Sequence, residues 1–216
     1  MTEQRPQRTL FCPLEIEARS LKKQGVSDPI TISGPGAMAV EKAVRQAIKT
    51  PVQQHFILAG LAGGLDARIL SGQAFWIDRI LDAHGQVVGM DDSPKSVSSS
   101  IASIHMANKP IYSPAEKRLL HESSKADLVD MEALAFARAC DASGVKWSII
   151  RGVSDASDET LPPGSGSLID QEGHSRPWRI AGYVLTSPWR IPALIRLSGR
   201  TSRALENVAC ELKKLD

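Results

Sequence analysis

The sequence has few cysteines and no long apolar run, and each shortage excludes a class of protein. Its three cysteines, Cys12, Cys140 and Cys210, are scattered through 216 residues without metal-ligand spacing. So sparse and odd a set is typical of a reducing compartment. The first ten residues are polar and basic without the apolar centre of a signal peptide, and no apolar run approaches the ~20 residues that cross a bilayer. We therefore expect a cytoplasmic protein.

An excess of charge of either sign is also missing. The net charge is only +2, which gives no reason to expect a nucleic-acid partner. The five histidines are scattered without ligand spacing and pair with no cysteine, so we expect neither a metal site nor a cofactor. A content of 42% apolar residues is enough for one full core, and we predict a single domain over residues 1–216.

Acidic residues are absent from one long stretch. Between Glu172 and Glu206 there is none, while six arginines alternate there with tryptophan, isoleucine and leucine. The pattern suits an interfacial segment that faces anionic headgroups, and equally an amphipathic helix packed on the domain with its arginines in solvent. Pro188 and Pro192 interrupt the stretch and favour the second interpretation. Peripheral membrane contact through residues 176–203 is the alternative.

Strand-like and helix-like segments alternate along the chain. Apolar runs predict strands, and runs with a 3.6-residue period predict helices. The predicted strands are "TLFCPL", "ITIS", "HFILAGLAGGL", the hairpin "QAFWIDRILDAHGQVVG" and "VKWSIIRGVSD"; the predicted helices are "EIEARSLKK", 37–48, "ADLVDMEALAFARACDASG" and most of the C-terminal part. Such alternation favours an α/β fold with a largely parallel sheet covered on both faces.

Ligands of such sheets bind beyond the carboxyl ends of the strands, where this sequence places glycines and acids. The glycines at 34–36 and 60–64 form tight turns, or they let backbone N–H groups approach a ligand. Asp155 either caps a turn or, if partly buried, keeps a proton and acts as a general acid. Glu15 and Glu17 stand in a first helical turn, where an acid is most simply a solvated residue that complements the helix dipole.

Four stretches together resemble the nucleoside phosphorylase/nucleosidase superfamily. They are "CPLEIEARSL", "ILAGLAGGLDARILSGQAFWID", "VDMEALAFARAC" and "SIIRGVSDASDE". Their order and spacing match those of the family, and the last two are the more specific motifs. The resemblance implies a three-layer α/β/α sandwich with a mixed, largely parallel central sheet. It also implies an enzyme that cleaves the N-glycosidic bond of a nucleoside, and a homodimer.

The resemblance also implies roles for individual residues. Met131 would pack against the nucleoside and Glu132 would accept hydrogen bonds from the ribose hydroxyls, while Asp130 is the structural acid of the pair. Asp155 would protonate N7 of the leaving purine, and Glu17 would orient or deprotonate the attacking water. The residues that would complete the substrate site are Gly60, Gly63 and Ser154.

Water rather than phosphate is the expected nucleophile. Hexameric phosphorylases carry an arginine and a serine around the central glycine strand, whereas Leu58 and Leu61 stand at the matching places here. A divalent anion beside two leucines would be poorly compensated. An arginine from elsewhere could still supply the charge, so phosphate remains an alternative co-substrate.

The C-terminal third resembles the hopanoid-associated phosphorylases, through "LPP", "EGHSRP" and "SPWRIPALIRLSGRTSRAL". That family is implicated in the removal of adenine from adenosylhopane, which leaves ribosyl-hopane. The resemblance implies a lipid-linked adenine nucleoside as substrate. The alternatives are a methylthioadenosine/S-adenosylhomocysteine nucleosidase, a phosphate-dependent purine nucleoside phosphorylase and a nucleoside-binding module without catalysis.

Overall fold

The computed structural model describes residues 7–48, 54–91, 100–161, 170, 172–174 and 191–215. Strands and helices alternate through most of this length. The strands are β1 (Gln7–Cys12), β2 (Ile30–Ile32), β3 (Gln54–Gly64), β4 (Ala74–Leu81), β5 (Val87–Met90), β6 (Ile101–Met106), β7 (Leu128–Asp130) and β8 (Lys146–Asp155). The helices are α1 (Glu15–Lys23), α2 (Ala37–Ala47), α3 (Pro114–Ser124), α4 (Ala133–Asp141) and α5 (Ile191–Lys213).

The eight strands form one mixed sheet. Strands β2, β1, β3 and β8 run parallel to one another in that order, and β4 follows antiparallel to β8. Strands β6 and β7 continue parallel from β4, and β7 then pairs antiparallel with the end of β3 at Gly63 and Gly64. Five strands therefore close into a ring, and the predicted mixed, largely parallel sheet is confirmed.

Helices cover both faces of the sheet, as predicted. In β3, Phe56 and Leu58 pack in one apolar cluster with α2 and α4, whereas Ile57 and Ala59 pack in another with α1 and α5. Successive residues of a strand point to opposite faces, so a continuous apolar run is what a strand between two helical layers requires. This alternation places the two helical layers on either side of β3.

The segment "ADLVDMEALAFARACDASG" was predicted as one helix, and that prediction is wrong in its first part. Residues Leu128–Asp130 form the short strand β7, and the helix begins only at Ala133. All three residues of β7 are buried between β3 and β6. Pairing on both sides outweighs the helical pattern of so short a segment.

The acid-free Arg/Trp stretch is described only from residue 191 onward, and its prolines and tryptophans before that residue lie outside the described part of the chain. From there it forms α5, whose Ala204, Leu205 and Val208 are buried against the sheet. Arg196 is exposed, and Arg200 pairs with a loop carboxylate. This matches the interpretation of a packed amphipathic helix. None of the helices in the described ranges combines the length and the apolar content that crossing a membrane requires.

Candidate active site

A fully buried arginine lies at the centre of the candidate site. Arg151 belongs to β8 and alternates with Ile149 and Val153, so it points toward the layer that contains α4. Its Nε donates to Asp130 Oδ2 at 3.0 Å, and its Nη2 donates to Asp130 and, at 3.2 Å, to Glu132 Oε2. A charge this deeply buried needs such partners.

Both acids of "VDMEA", Asp130 and Glu132, accept hydrogen bonds from Arg151, and each also binds a different backbone N–H group. Asp130 also accepts from the backbone N–H of Ala133 at 3.1 Å, and so caps the start of α4. Glu132 Oε1 accepts from the backbone N–H of Gly36 at 2.7 Å. Gly36 has φ of +90°, in the region that favours glycine, and it directs its N–H to the carboxylate from the start of α2.

Glu17 approaches the same arginine from α1. Its Oε2 accepts from the N–H of Leu14 at 2.8 Å, and its Oε1 accepts from the N–H of Leu61 at 2.8 Å. The glutamate is only 2% exposed, so it is not the solvated residue of a helix face. A Cβ on Gly60 would lie 2.6 Å from Glu17 Oε1 and 2.9 Å from Arg151 Nη1. Only a glycine lets these two side chains approach β3 so closely.

Burial perturbs two carboxyls of this cluster. It raises the pKa of Glu17 to about 7, although Arg151 and two backbone N–H groups act to lower it. Burial, and then the neighbouring Asp130 carboxylate, raise the pKa of Glu132 to about 7 against the opposing effect of Arg151. Burial acts to lower the pKa of Arg151, but the three carboxylates outweigh it and raise that pKa. One fixed cation therefore stands among three acids, two of which titrate near neutral pH.

One atom of the arginine has no hydrogen-bond partner among the described residues. Arg151 Nη1 is buried and makes no hydrogen bond to any residue in the part of the chain that the structure describes. It lies on the same side of Gly60 as Glu17 Oε1. The unsatisfied donor therefore stands close to the carboxylate of Glu17.

A second cluster surrounds Asp155 at the end of β8. The carboxyl is 2% exposed; its Oδ2 accepts from Lys117 Nζ at 2.5 Å and its Oδ1 accepts from the hydroxyl of Ser154. Ser154 Oγ also lies 3.2 Å from the carbonyl of Ala62. A Cβ on Gly63 would lie 3.5 Å from Asp155 Oδ2, so this glycine lies directly beside the carboxyl.

The two clusters are neighbours along β3 and β8. Gly60 pairs with Arg151, and Gly63 pairs with Asp155. Three residues of strand span about 10 Å, a length that a nucleoside with hydrogen-bond partners at both ends can bridge. The structure thus brings every candidate site residue to one edge of the sheet, with Met131 partly exposed between Asp130 and Glu132.

Sequence reasoning assigned no role to Arg151 or Lys117. Arg151 lies inside the quoted "SIIRGVSD" motif, and an arginine in a buried apolar strand is itself a signal, because such a residue needs buried acids. Lys117 gave no such signal, since a lysine on a surface helix is ordinary. Leu58 is buried in the apolar cluster beneath α2 and α4, and Leu61 contributes its backbone N–H to Glu17.

Comparison with known proteins identifies the fold. A family model described as the phosphorylase superfamily matches residues 97–172. A 5′-methylthioadenosine/S-adenosylhomocysteine nucleosidase from Helicobacter pylori, in complex with butyl-thio-DADMe-Immucillin-A, superimposes with a TM-score of 0.65 at 14% identity, over 98% of each chain. The chain has the nucleosidase fold.

Two further solved structures share this fold. A futalosine hydrolase mutant of Helicobacter pylori gives a TM-score of 0.67 at 14% identity over 98% of each chain. A 5′-methylthioadenosine/S-adenosylhomocysteine nucleosidase from Colwellia psychrerythraea, in complex with adenine, gives 0.64 at 15% identity over 97% of this chain and 96% of that one. No curated protein matches the chain in sequence. The region that matches the family model contains Lys117, Glu132, Arg151 and Asp155 but not Glu17.

Proposed function

We propose that the protein hydrolyses the N-glycosidic bond of a 5′-substituted adenosine. One observation carries the proposal: a cluster of carboxylates around an arginine and a separate buried carboxyl stand next to each other along the C-terminal halves of two neighbouring strands of a nucleosidase fold. The first cluster suits a ribose and an attacking water. The second suits the leaving base.

The ribose lies over Glu132 in this proposal. A carboxylate accepts hydrogen bonds from two adjacent hydroxyls, and its charge stabilises the positive charge that grows on the sugar ring as the bond to the base breaks. Gly36 and Arg151 hold the carboxylate in place. Because both partners are fixed by the fold, little reorganisation is needed when the charge develops.

The attacking water is activated by Glu17, whose carboxylate is fixed by the N–H groups of Leu14 and Leu61. Glu17 accepts the proton of the water as the new bond to C1′ forms. A pKa of about 7 suits a base that must accept a proton near neutral pH.

Asp155 protonates the base. As the bond between C1′ and N9 breaks, its electron pair moves into the purine, and a proton from Asp155 to N7 neutralises the departing anion. The Ser154 hydroxyl and Lys117 fix the carboxyl for this transfer. A binding module would need no acid at this position.

Hydrolysis is favoured over phosphorolysis by the charge of the first cluster. The three carboxyls around Arg151 outnumber its single positive charge once Glu17 and Glu132 ionise. A phosphate dianion at the same place would be repelled rather than compensated. A neutral water suffers no such repulsion.

The 5′ substituent is proposed to be apolar, with adenosylhopane as the substrate and ribosyl-hopane and adenine as products. Ile16 precedes Glu17 in α1 and is 48% exposed, and Met38 follows Gly36 by two residues and is 85% exposed. Exposed apolar side chains on the two helices that carry site residues support an apolar ligand group. The similarity to nucleosidases named for methylthioadenosine makes a small thioether nucleoside the second candidate.

The test is adenine release from a panel of 5′-substituted adenosines, with and without phosphate. We expect release without phosphate, highest for a bulky apolar substituent, and at least about 100-fold less in Asp155→Asn. Strict dependence on phosphate would contradict the proposed nucleophile. A preference for methylthioadenosine would support the second candidate, and unchanged release in Asp155→Asn would overturn the assigned acid.

A further inference from the structure

Lys117 of α3 is fully buried, and its ammonium group touches three oxygens. Its Nζ lies 2.5 Å from Asp155 Oδ2, 2.6 Å from the carbonyl of Ala156 and 3.0 Å from the carbonyl of Glu159. Three acceptors match the three N–H bonds of an ammonium. The lysine therefore places a positive charge, with its hydrogen bonds satisfied, directly against the proposed acid.

Other groups near Asp155 do not duplicate this charge. From its own strand, the Ser154 hydroxyl donates to Oδ1; from β3, Gly63 presents no side chain. The carboxylate of Glu159 accepts from the N–H of Ala156 at 3.0 Å and pairs with Arg200 of α5 at 2.7 Å, so these two charges compensate each other. Among the described residues, Lys117 is the cation in direct contact with Asp155.

We infer that Lys117 is a positioning residue that holds the Asp155 carboxyl in place and compensates the charge left on it when the leaving base takes its proton. The inference rests on the proposed function. The proton moves from the Asp155 carboxyl to N7 while the electron pair of the glycosidic bond moves into the purine. Asp155 remains as a carboxylate beside the ammonium, and Lys117 itself loses no proton.

The positive charge of Lys117 affects the protonation step. It stabilises the carboxylate that forms, so proton transfer to the base becomes more favourable. The charge therefore acts at the step in which the carboxylate forms. Removal of the charge should slow this step and leave the binding of the substrate unchanged.

The experiment measures kcat and KM of Lys117→Met, which keeps the length of the side chain and removes its charge. We expect kcat to fall about 10- to 100-fold and KM to stay within about twofold of the wild-type value. Ser124→Ala is the matched control, because it removes a buried hydrogen bond of the same helix, at 2.7 Å, away from Asp155. The control should keep the wild-type kcat and KM. An unchanged kcat in Lys117→Met, or a loss that appears in KM alone, would overturn the inference.

A double variant keeps the test valid if Lys117→Met fails to fold. Lys117→Met with Asp155→Asn replaces the buried ion pair by a neutral pair, which is commonly tolerated. If Lys117 acts only through Asp155, the double variant should be no slower than Asp155→Asn alone. A further loss of tenfold or more would overturn the inference.

Failure of this inference differs from failure of the proposed function. If the wild-type protein releases no adenine from any substrate of the panel, the proposed function fails before any variant is made. If the wild-type protein is active and Lys117→Met keeps the kcat of the wild type, only the role of the lysine fails.

Discussion

Gly60→Ala should inactivate the protein through a single methyl group. The new Cβ would stand 2.6 Å from Glu17 Oε1, 2.8 Å from Glu17 Cδ and 2.9 Å from Arg151 Nη1. To regain an ordinary contact of 3.4 Å, the carboxylate oxygen must move by about 0.8 Å.

The displacement has a cost in stability and a larger one in rate. Glu17 is held by the N–H groups of Leu14 and Leu61, both at 2.8 Å, so a move of this size weakens two hydrogen bonds to a buried acid. Overpacking of a well-packed site costs about 1–3 kcal/mol. A misplacement of about 1 Å lowers a rate roughly 100-fold, and loss of the base adds to that.

The assay compares kcat/KM for adenine release and the urea midpoint in Gly60→Ala and Gly199→Ala. Gly199 lies in α5 with nothing within 4 Å of its added Cβ, so its replacement should leave activity unchanged and raise stability by at most about 1 kcal/mol. We expect Gly60→Ala to lose at least about 100-fold in kcat/KM and to remain folded. Wild-type activity in Gly60→Ala would refute the role of Glu17 as the base that accepts the proton of the water.

Arg151→Met should lower the free energy of unfolding, measured by urea denaturation at pH 8, by about 3–5 kcal/mol, because it leaves buried carboxylates uncompensated. The loss should be smaller at pH 5, where these carboxylates take up protons. The folded pKa values of Glu17 and Glu132, about 7, lie above the unfolded value near 4.5. Protonation therefore contributes stability that is complete below about pH 4.5 and lost as the pH rises through 7, by about 3 kcal/mol per carboxyl. Thermal unfolding from pH 5 to 8 should show this decline, and Glu17→Gln should reduce its slope. Gly152→Ala should lower the melting temperature, because its Cβ would lie 2.9 Å from both Cβ and the carbonyl of Ala204 in α5; an unchanged melting temperature would mean that the helix shifts at no cost.

The alternation of strands and helices could be predicted because the apolar pattern of this chain reports burial directly. Strand β3 is apolar at successive positions since both of its faces are covered, and its glycines mark where side chains approach it. The candidate acids could be found because they follow strands, and the carboxyl ends of strands meet at one edge of the sheet. Asp155 stands at the end of β8 in this way, whereas Glu132 follows β7, which runs antiparallel to β3 and reaches Arg151 from the opposite direction.

Strand β7 and helix α3 show two different reasons for missed elements. The three residues of β7 lie in a segment with helical periodicity, and they become a strand only because β3 and β6 pair with them. Local pattern cannot report such distant pairing. Helix α3 did carry a local signal, since Ser113, Pro114 and Glu116 form the start of a helix with a capping box.

The roles of Arg151 and Lys117 depend on contacts that sequence separation hides. Arg151 meets Asp130 across 21 positions, and Lys117 meets Asp155 across 38. Each cation is fully buried only because the fold supplies its acid. The sequence therefore indicates which residues can act as acids, bases or charged partners, whereas the fold determines which of these charges pair.

Protons are held at the ribose end of the proposed site near neutral pH. Burial raises the pKa of Glu17 and of Glu132 to about 7, so a substantial fraction of each carboxyl is protonated at pH 7. In the proposed mechanism the ribose hydroxyls donate to Glu132, and such hydrogen bonds favour its carboxylate. Binding of a nucleoside should therefore favour the ionised form of Glu132, which is the form that stabilises positive charge on the sugar.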